Sequence, residues 1–79
     1  MTTETEVKMR TIYALDDRGI PHVACEGNDA TGEMIYKGSR DTMERIYLVA
    51  GQVFSARRGR RLYIIRWDGK VFTATCKAA

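Results

Sequence analysis

The most distinctive chemistry in this sequence belongs to four arginines around Gly59, namely Arg57, Arg58, Arg60 and Arg61. A guanidinium group presents a planar set of N–H donors that matches the oxygens of a phosphate or a carboxylate. At a hairpin turn, however, like charges directly opposite each other are destabilising by up to about 1 kcal/mol. One interpretation is that the turn meets an anion, such as a phosphate backbone or an acidic protein surface. The other is a solvated tip that prevents edge-to-edge aggregation or pairs with acids elsewhere in the chain.

Further basic residues could extend the same surface. The candidate binding residues are Arg57, Arg58, Arg60, Arg61, Arg66, Lys70 and Arg40. Single-strand and RNA binders combine arginine for phosphates with aromatic rings for bases. The aromatic residues available for that role are Phe54, Tyr63, Trp67 and Phe72. The same four rings would also suit a core packed under a helix, and on that interpretation only the arginines are free to bind.

Residues suited to a metal site or a catalytic centre are few. His22, Cys25 and Cys76 are the only His and Cys residues of the chain, whereas a structural zinc site needs four ligands in paired spacings. A lone histidine outside a recognisable nucleophile setting does not indicate covalent catalysis. Gly27 and Gly32 lack the Lys-Ser/Thr that completes a phosphate-binding loop. The sequence therefore predicts no enzymatic activity, metal, cofactor or small-molecule substrate.

Length and charge indicate a small single-domain protein. A chain of 79 residues buries only roughly 60% of its unfolded surface, so its stability is marginal and a homodimer would be a natural remedy. We expect a disordered tail over residues 1–6 and one domain over residues 7–79. Residues 1–39 hold four Lys/Arg and seven Asp/Glu, a net charge of −3, and residues 40–79 hold nine Lys/Arg and three Asp/Glu, a net charge of +6. Acids of the first half could therefore neutralise the arginines.

The expected location is the cytoplasm. The first residues are polar and acidic and do not resemble a signal peptide. No apolar run approaches the length of a membrane span, so no membrane partner is expected. In that compartment both cysteines would stay reduced.

Residues 52–76 are predicted to form three antiparallel strands. Asp68-Gly69 is a preferred pair for a tight hairpin turn, and Arg58-Gly59 is a weaker turn candidate. With two-residue loops, Arg57 faces Arg60, Phe54 faces Tyr63, Ile65 faces Phe72 and Trp67 faces Lys70. Because side chains alternate along a strand, one face carries Phe54, Tyr63, Ile65, Trp67, Phe72 and Ala74. The other face carries Val53, Leu62, Ile64, Val71, Arg66 and Thr73.

The first half of the chain is predicted to contain three shorter strands. Residues 7–15 form the first strand, and the turn chemistry of residues 16–19 leads into a return strand over residues 20–25. A loop rich in Gly, Asn and Asp follows over residues 26–32. Residues 33–37 then form the third strand.

A helix is predicted over residues 41–50. Asp41 and Glu44 fit a capping box, and Gly51 fits the residue just past a helix end. One helical stripe would contain Met43, Ile46, Tyr47 and Ala50. The competing interpretation makes residues 45–49 a strand, because they are rich in residues that favour strands. We therefore expect an α+β fold in the order β-β-β-α-β-β-β, an antiparallel sheet of about six short strands with one helix packed on one face; the alternative is a small all-β barrel.

Two functions are consistent with these patterns. The favoured hypothesis is a small non-enzymatic module that recognises an anionic macromolecule, nucleic acid slightly before an acidic protein, through the arginine turn. The alternative is a protein–protein interaction module, such as an inhibitor or regulator of a larger complex, whose size would suit a phage or mobile element. A sheet that is apolar on both faces also favours that alternative or a homodimer.

Overall fold

The computed structural model describes residues 8–78, which form one continuous seven-stranded sheet. In chain order the strands are β1 (Arg10–Leu15), β2 (Pro21–Asn28), β3 (Glu33–Lys37), β4 (Met43–Tyr47), β5 (Val53–Arg58), β6 (Arg61–Trp67) and β7 (Phe72–Ala78), with a 3₁₀ turn at Ser39–Asp41. Their order across the sheet is β4-β3-β2-β1-β7-β6-β5. All neighbours are antiparallel except β1 and β7, which are parallel. Two meanders, β1–β4 and β5–β7, are therefore joined side by side through one parallel pair.

The sheet curls into a half-barrel, and its concave face holds the core. Ile12, Met34 and Ile65 are the largest fully buried side chains. The two meanders meet across this core, where the ring centroids of Tyr36 and Phe54 lie 5.3 Å apart in an edge-to-face arrangement. The concave face contains the set predicted for one side of the second meander, which confirms that prediction: Phe54, Tyr63, Ile65, Trp67, Phe72 and Ala74.

The helix predicted over residues 41–50 is wrong, and so is the α+β fold class, because this segment contains strand β4. β4 pairs antiparallel with β3 after a reversal in which Arg40 and Asp41 adopt left-handed φ angles of 63° and 58°. The competing strand over residues 45–49 and the all-β alternative are the interpretations that agree with the structure.

The burial pattern of β4 explains why the helix does not form. Ile46 packs against the core, Tyr47 is 64% exposed and Leu48, just past the strand, is buried, which is the two-residue period of a strand. Met43, another member of the predicted helical stripe, is 60% exposed. A helix cap contributes about 0.5–2 kcal/mol, and a helix this short is marginal without tertiary packing. Pairing with β3 therefore prevails over a local helix signal.

The β5–β6 turn differs from its prediction by one position. Arg58 pairs with Arg61, so the two turn residues are Gly59 and Arg60. Gly59 has φ 64°, which fits a turn of type II′ with glycine at its first central position. The predicted pair of Arg57 with Arg60 is not formed. Each residue of β5 therefore pairs with the β6 residue two positions later than predicted. Because side chains alternate with a period of two, the predicted faces are unchanged.

The β6–β7 loop has four residues rather than two, since Trp67 pairs with Phe72. Asp68 Oδ1 accepts hydrogen bonds from the backbone N–H of Val71 at 2.9 Å and of Lys70 at 2.8 Å. These backbone bonds lower the pKa of Asp68. Asp68 thus shapes this loop through its side chain, which lengthens the connection beyond a tight turn.

The turn predicted at residues 16–19 is confirmed. Asp16 Oδ1 accepts the backbone N–H of Arg18 at 2.8 Å and of Ile20 at 2.9 Å. Asp16 Oδ2 lies 2.9 Å from His22 Nε2. The aspartate therefore closes the turn and also holds His22, the second residue of the returning strand.

A β-bulge interrupts the pairing of β1 with β2. Ile12 pairs with Cys25 and Tyr13 with Val23, so Ala24 is an extra residue on β2. Ala24 and Cys25 are both buried as a result. β2 also continues past its predicted end at Cys25, and the predicted loop is correspondingly shorter.

Some predictions concern residues outside the described part. The tail over residues 1–6 lies outside the described residues, as does the first residue of the strand predicted over residues 7–15. Within the described part, that strand begins at Arg10. The strand predicted over residues 33–37 is confirmed with the same bounds.

Gly27 lies where the ring of Phe72 crosses β2, and a Cβ there would be 2.8 Å from Phe72 Cδ2. We predict that Gly27→Ala lowers the free energy of unfolding by about 1–3 kcal/mol in urea titrations, because it overpacks the core. The matched control is Gly38→Ala, whose Cβ would meet nothing closer than 3.8 Å; its effect should stay within about 0.5 kcal/mol. Equal effects for the two variants would contradict this packing.

Hydrogen bonds from His22, Ile20 and Arg18, in that order of strength, lower the pKa of Asp16 from 3.8 to about 2. Because the folded-state pKa lies below the unfolded one, the ionised carboxylate stabilises the turn above about pH 4, and this contribution disappears as the pH falls through about 2. Carboxyl-carbon NMR should show the Asp16 midpoint near the lower value. His22→Phe should raise it, since that bond is the largest cause. A parent midpoint near 3.8 would refute the predicted hydrogen bonding.

Candidate nucleic-acid interface

Three of the four arginines around Gly59 have no side-chain partner among residues 8–78. Arg57 and Arg60 are exposed and Arg61 is partly exposed. Among residues 8–78, none of the three has a carboxylate within ion-pairing distance or an acceptor for its guanidinium group. We call Arg57, Arg60 and Arg61 the arginine tip.

Three acidic residues of the first meander, Asp16, Asp29 and Glu33, have partners away from the arginine tip. Asp29 binds Arg10 Nε at 2.6 Å, and Glu33 binds Arg45 Nε at 3.2 Å. The bond between Asp29 and Arg10 lowers the pKa of the aspartate and raises the pKa of the arginine. Asp16 belongs to the β1–β2 turn. The sequence left open whether acids of the first half neutralise the arginines. Among residues 8–78, no carboxylate lies within ion-pairing distance of the arginine tip.

Arg58 folds inward across the mouth of the half-barrel. Its Nη1 donates to Ala24 O at 3.3 Å and to Lys37 O at 2.9 Å, and its Nη2 donates to Val23 O. The guanidinium also lies over two buried tyrosine rings, 4.4 and 5.3 Å from their centroids. Arg58 therefore links β5 to β2 and β3, although the sequence grouped it with the exposed arginines.

Lys77 is a cation beside the tip that the sequence did not indicate. Arg57, Leu62 and Lys77 are aligned across β5, β6 and β7. Two strand spacings separate Arg57 from Lys77, or roughly 10 Å, and both side chains lie on the same convex face. A two-residue β6–β7 loop would have placed Thr75 opposite Leu62. The four-residue loop is what brings Lys77 to this position.

The remaining predicted cations are divided between the two ends of the sheet. Arg66 lies five residues beyond Arg61 along β6, about 17 Å away, and Lys70 follows in the β6–β7 loop. Both are therefore at the end opposite the arginine tip. Arg40 is exposed in the β3–β4 turn, three residues after Lys37, which places it at the same end as the tip.

The aromatic residues considered for base stacking lie in the core. Tyr63 and Phe72 are only 5% and 2% exposed, and Phe54 is packed against the core. Trp67 donates its Nε1–H to Asp29 O at 2.7 Å. The structure therefore supports the interpretation of these rings as core residues. The opposing meander covers them, and not a helix. They are not available to stack on bases.

The residues weighed for metal or thiol chemistry have structural contacts. His22 is held by Asp16, and Cys25 and Cys76 are free, buried thiols. Burial raises the pKa of Cys25 to about 12, so its thiol is protonated at neutral pH and is a weak nucleophile. Within residues 8–78, no three His, Cys, Asp or Glu side chains are grouped to bind a metal ion.

In the described part of the chain, no helix has the length and apolar character required to cross a bilayer. Comparison with protein-family models, with curated proteins and with solved structures yields no match.

The inward orientation of Arg58 can be tested by its effect on stability. We predict that Arg58→Ala lowers the free energy of unfolding by about 1–3 kcal/mol, because three backbone carbonyls lose a charged donor. The matched control is Arg57→Ala, on the same strand but on the exposed face, which should change stability by less than about 0.5 kcal/mol. Chemical denaturation of both variants gives the comparison. An Arg58→Ala protein as stable as the parent would show that Arg58 does not close the half-barrel.

Proposed function

We propose that this chain is a non-enzymatic module that binds nucleic acid through the arginine tip. The observation that carries the proposal is a local excess of unpaired positive charge. Residues 52–78 hold seven Lys/Arg and one Asp, a net charge of +6, and the tip lacks carboxylate partners among the described residues. Phosphate oxygens would supply the charged acceptors that the arginine tip lacks among residues 8–78. Lys77 and Arg40 widen the basic surface at the same end.

The proposed contacts are to phosphates and not to bases. Because the aromatic rings of the sheet are buried, stacking is not the favoured mode, and arginine–phosphate contacts give affinity with little sequence preference. A two-stranded hairpin also has the width to approach a duplex through its major groove. Duplex DNA is therefore the first ligand to test.

Replacing Arg57, Arg60 and Arg61 together by Gln tests this proposal. The measurement is the dissociation constant for a short DNA duplex at several salt concentrations. We expect the parent affinity to fall steeply with salt. The triple variant should bind more weakly at low salt, and its slope of log affinity against log salt should be shallower by about 0.9 per lost phosphate contact.

A control variant distinguishes the tip from overall charge. The double variant Arg66→Gln, Lys70→Gln removes two exposed cations at the opposite end of the sheet. It should keep most of the parent affinity. Salt-independent binding by the parent, or a triple variant that behaves like the parent, would rule out the arginine tip as the binding site.

A second candidate is a protein-interaction module, such as an inhibitor or regulator, or a homodimer. The observation that favours it is an exposed apolar patch on the convex face of β1 and β2, where Tyr13 and Val23 pair with 54% and 53% exposure next to Leu15 at 49%. Light scattering on the pure protein, with and without DNA, separates the candidates. A monodisperse monomer that DNA does not shift would favour a protein partner.

A cytoplasmic location belongs to the same proposal. Both cysteines are free in the structure, which suits a reducing compartment.

A further inference from the structure

The ladder between β2 and β3 opens at one end of the sheet. The two strands are in register only from Glu26 opposite Ile35 to the neighbouring turn. Continuing that register would place Ala24 opposite Lys37, but the bulge at Ala24 redirects the backbone and the pairing stops. The result is a gap in the sheet between the two strands.

The guanidinium of Arg58 occupies this gap from the concave side. Its Nη1 bridges Ala24 O and Lys37 O, which are the two carbonyls that face each other across the opening. With the bond from Nη2 to Val23 O, three hydrogen bonds are formed, whereas a guanidinium carries five N–H donors. The N–H of Nε and one N–H of Nη2 have no acceptor among residues 8–78, and no carboxylate lies within ion-pairing distance.

A groove of about 400 Å³ lies over the gap, and Arg58 forms part of its lining. Its apolar walls include Val23, Ile35 and Met43, of which Val23 and Met43 are 53% and 60% exposed. This volume is within the range of sites for small ligands, which combine apolar walls with a few polar or charged groups. The charged residues of this lining are Arg58, Lys37, Glu26 and Asp41.

We propose that this groove binds a small monocarboxylate with an apolar body, such as a medium-chain fatty acid, whose carboxylate pairs with Arg58 while its hydrocarbon covers Val23, Ile35 and Met43. The matching geometry occurs elsewhere in the same chain, where Arg10 holds the two oxygens of Asp29 through its Nε and Nη2 at 2.6 and 3.1 Å. These are the two nitrogens that keep free N–H groups in Arg58.

The rim of the groove restricts the charge of the ligand. Glu26 and Asp41 contribute to the lining, and Asp41 is paired with Lys37 at 3.3 Å. Two carboxylates near the opening disfavour a multiply charged anion such as a nucleotide. A single carboxylate placed at the guanidinium, with an apolar body against the walls, avoids most of this repulsion.

The probes are octanoate and its neutral analogue octanamide, titrated into the full chain and followed by backbone-amide NMR. We expect saturable shifts at Val23, Ile35 and Met43 with octanoate, and an affinity for octanamide that is lower by about tenfold or more, because the charged hydrogen bonds to Arg58 are lost. Equal affinities, or no saturable shift at these residues, would overturn the proposal.

Variants that leave the core intact complete the test. Met43→Glu places a competing carboxylate in the groove at an exposed position and should abolish octanoate binding. The matched control is Val49→Glu, which makes the same change at a position that is 71% exposed and outside the groove, and it should bind like the parent. Unchanged binding by Met43→Glu would overturn the proposal.

One variant separates this inference from the nucleic-acid proposal. The triple variant of Arg57, Arg60 and Arg61 should bind octanoate like the parent, because none of these residues lines the groove. Loss of octanoate binding in that variant would place the ligand at the arginine tip and refute the groove.

Discussion

In the part of the chain that the structure describes, no helix packs on the sheet. The sheet therefore has to bury its apolar face by packing its two meanders against each other. This constraint explains the curl of the sheet and the face-to-face contact of the two meanders. It also explains why backbone must approach aromatic rings closely. A side chain at Gly27 would overlap the ring of Phe72, and a Cβ at Gly32 would lie 2.8 Å from Trp67 Cε3. Where β1 and β7 join the two meanders, Ala14 pairs with Ala74. These small side chains leave space in the interior for larger residues from both meanders.

Arg58 completes this closure at the open end of the half-barrel. A cation is suited to the position because three backbone carbonyls accept hydrogen bonds from it there and two tyrosine rings present their faces. An apolar residue would remove these three hydrogen bonds. The same placement removes one guanidinium from the solvent-exposed cluster and makes it part of the lining of the groove over β2 and β3. One residue therefore connects the stability of the fold with both candidate binding surfaces.

Several acidic residues are held in contacts that keep their carboxylates away from the arginine tip. Asp16 and Asp68 accept backbone N–H groups in turns, and Asp29 joins Arg10 to the backbone of Phe72. Carboxylates committed to such contacts cannot also pair with distant arginines. The second meander carries a net positive charge next to a first meander that is close to neutral over its described residues. The two halves of the sequence already show this separation, although the total charge of +3 does not.

The amino-acid sequence by itself determined the features that depend on near neighbours: the alternation that sorts the second meander into two faces, the turn at residues 16–19, the strand over residues 33–37 and the concentration of arginines around Gly59. These depend on interactions within a few residues, which the sequence displays directly. Only the tertiary structure decided that β4 is a strand, that Arg58 points inward and that Lys77 lies beside Arg57. Each of these depends on partners that are distant in the chain: the free edge of β3, the carbonyls exposed by the bulge in β2, and a register set by the β6–β7 loop. Local propensity contains no information about such partners, and at these positions their contribution outweighs it.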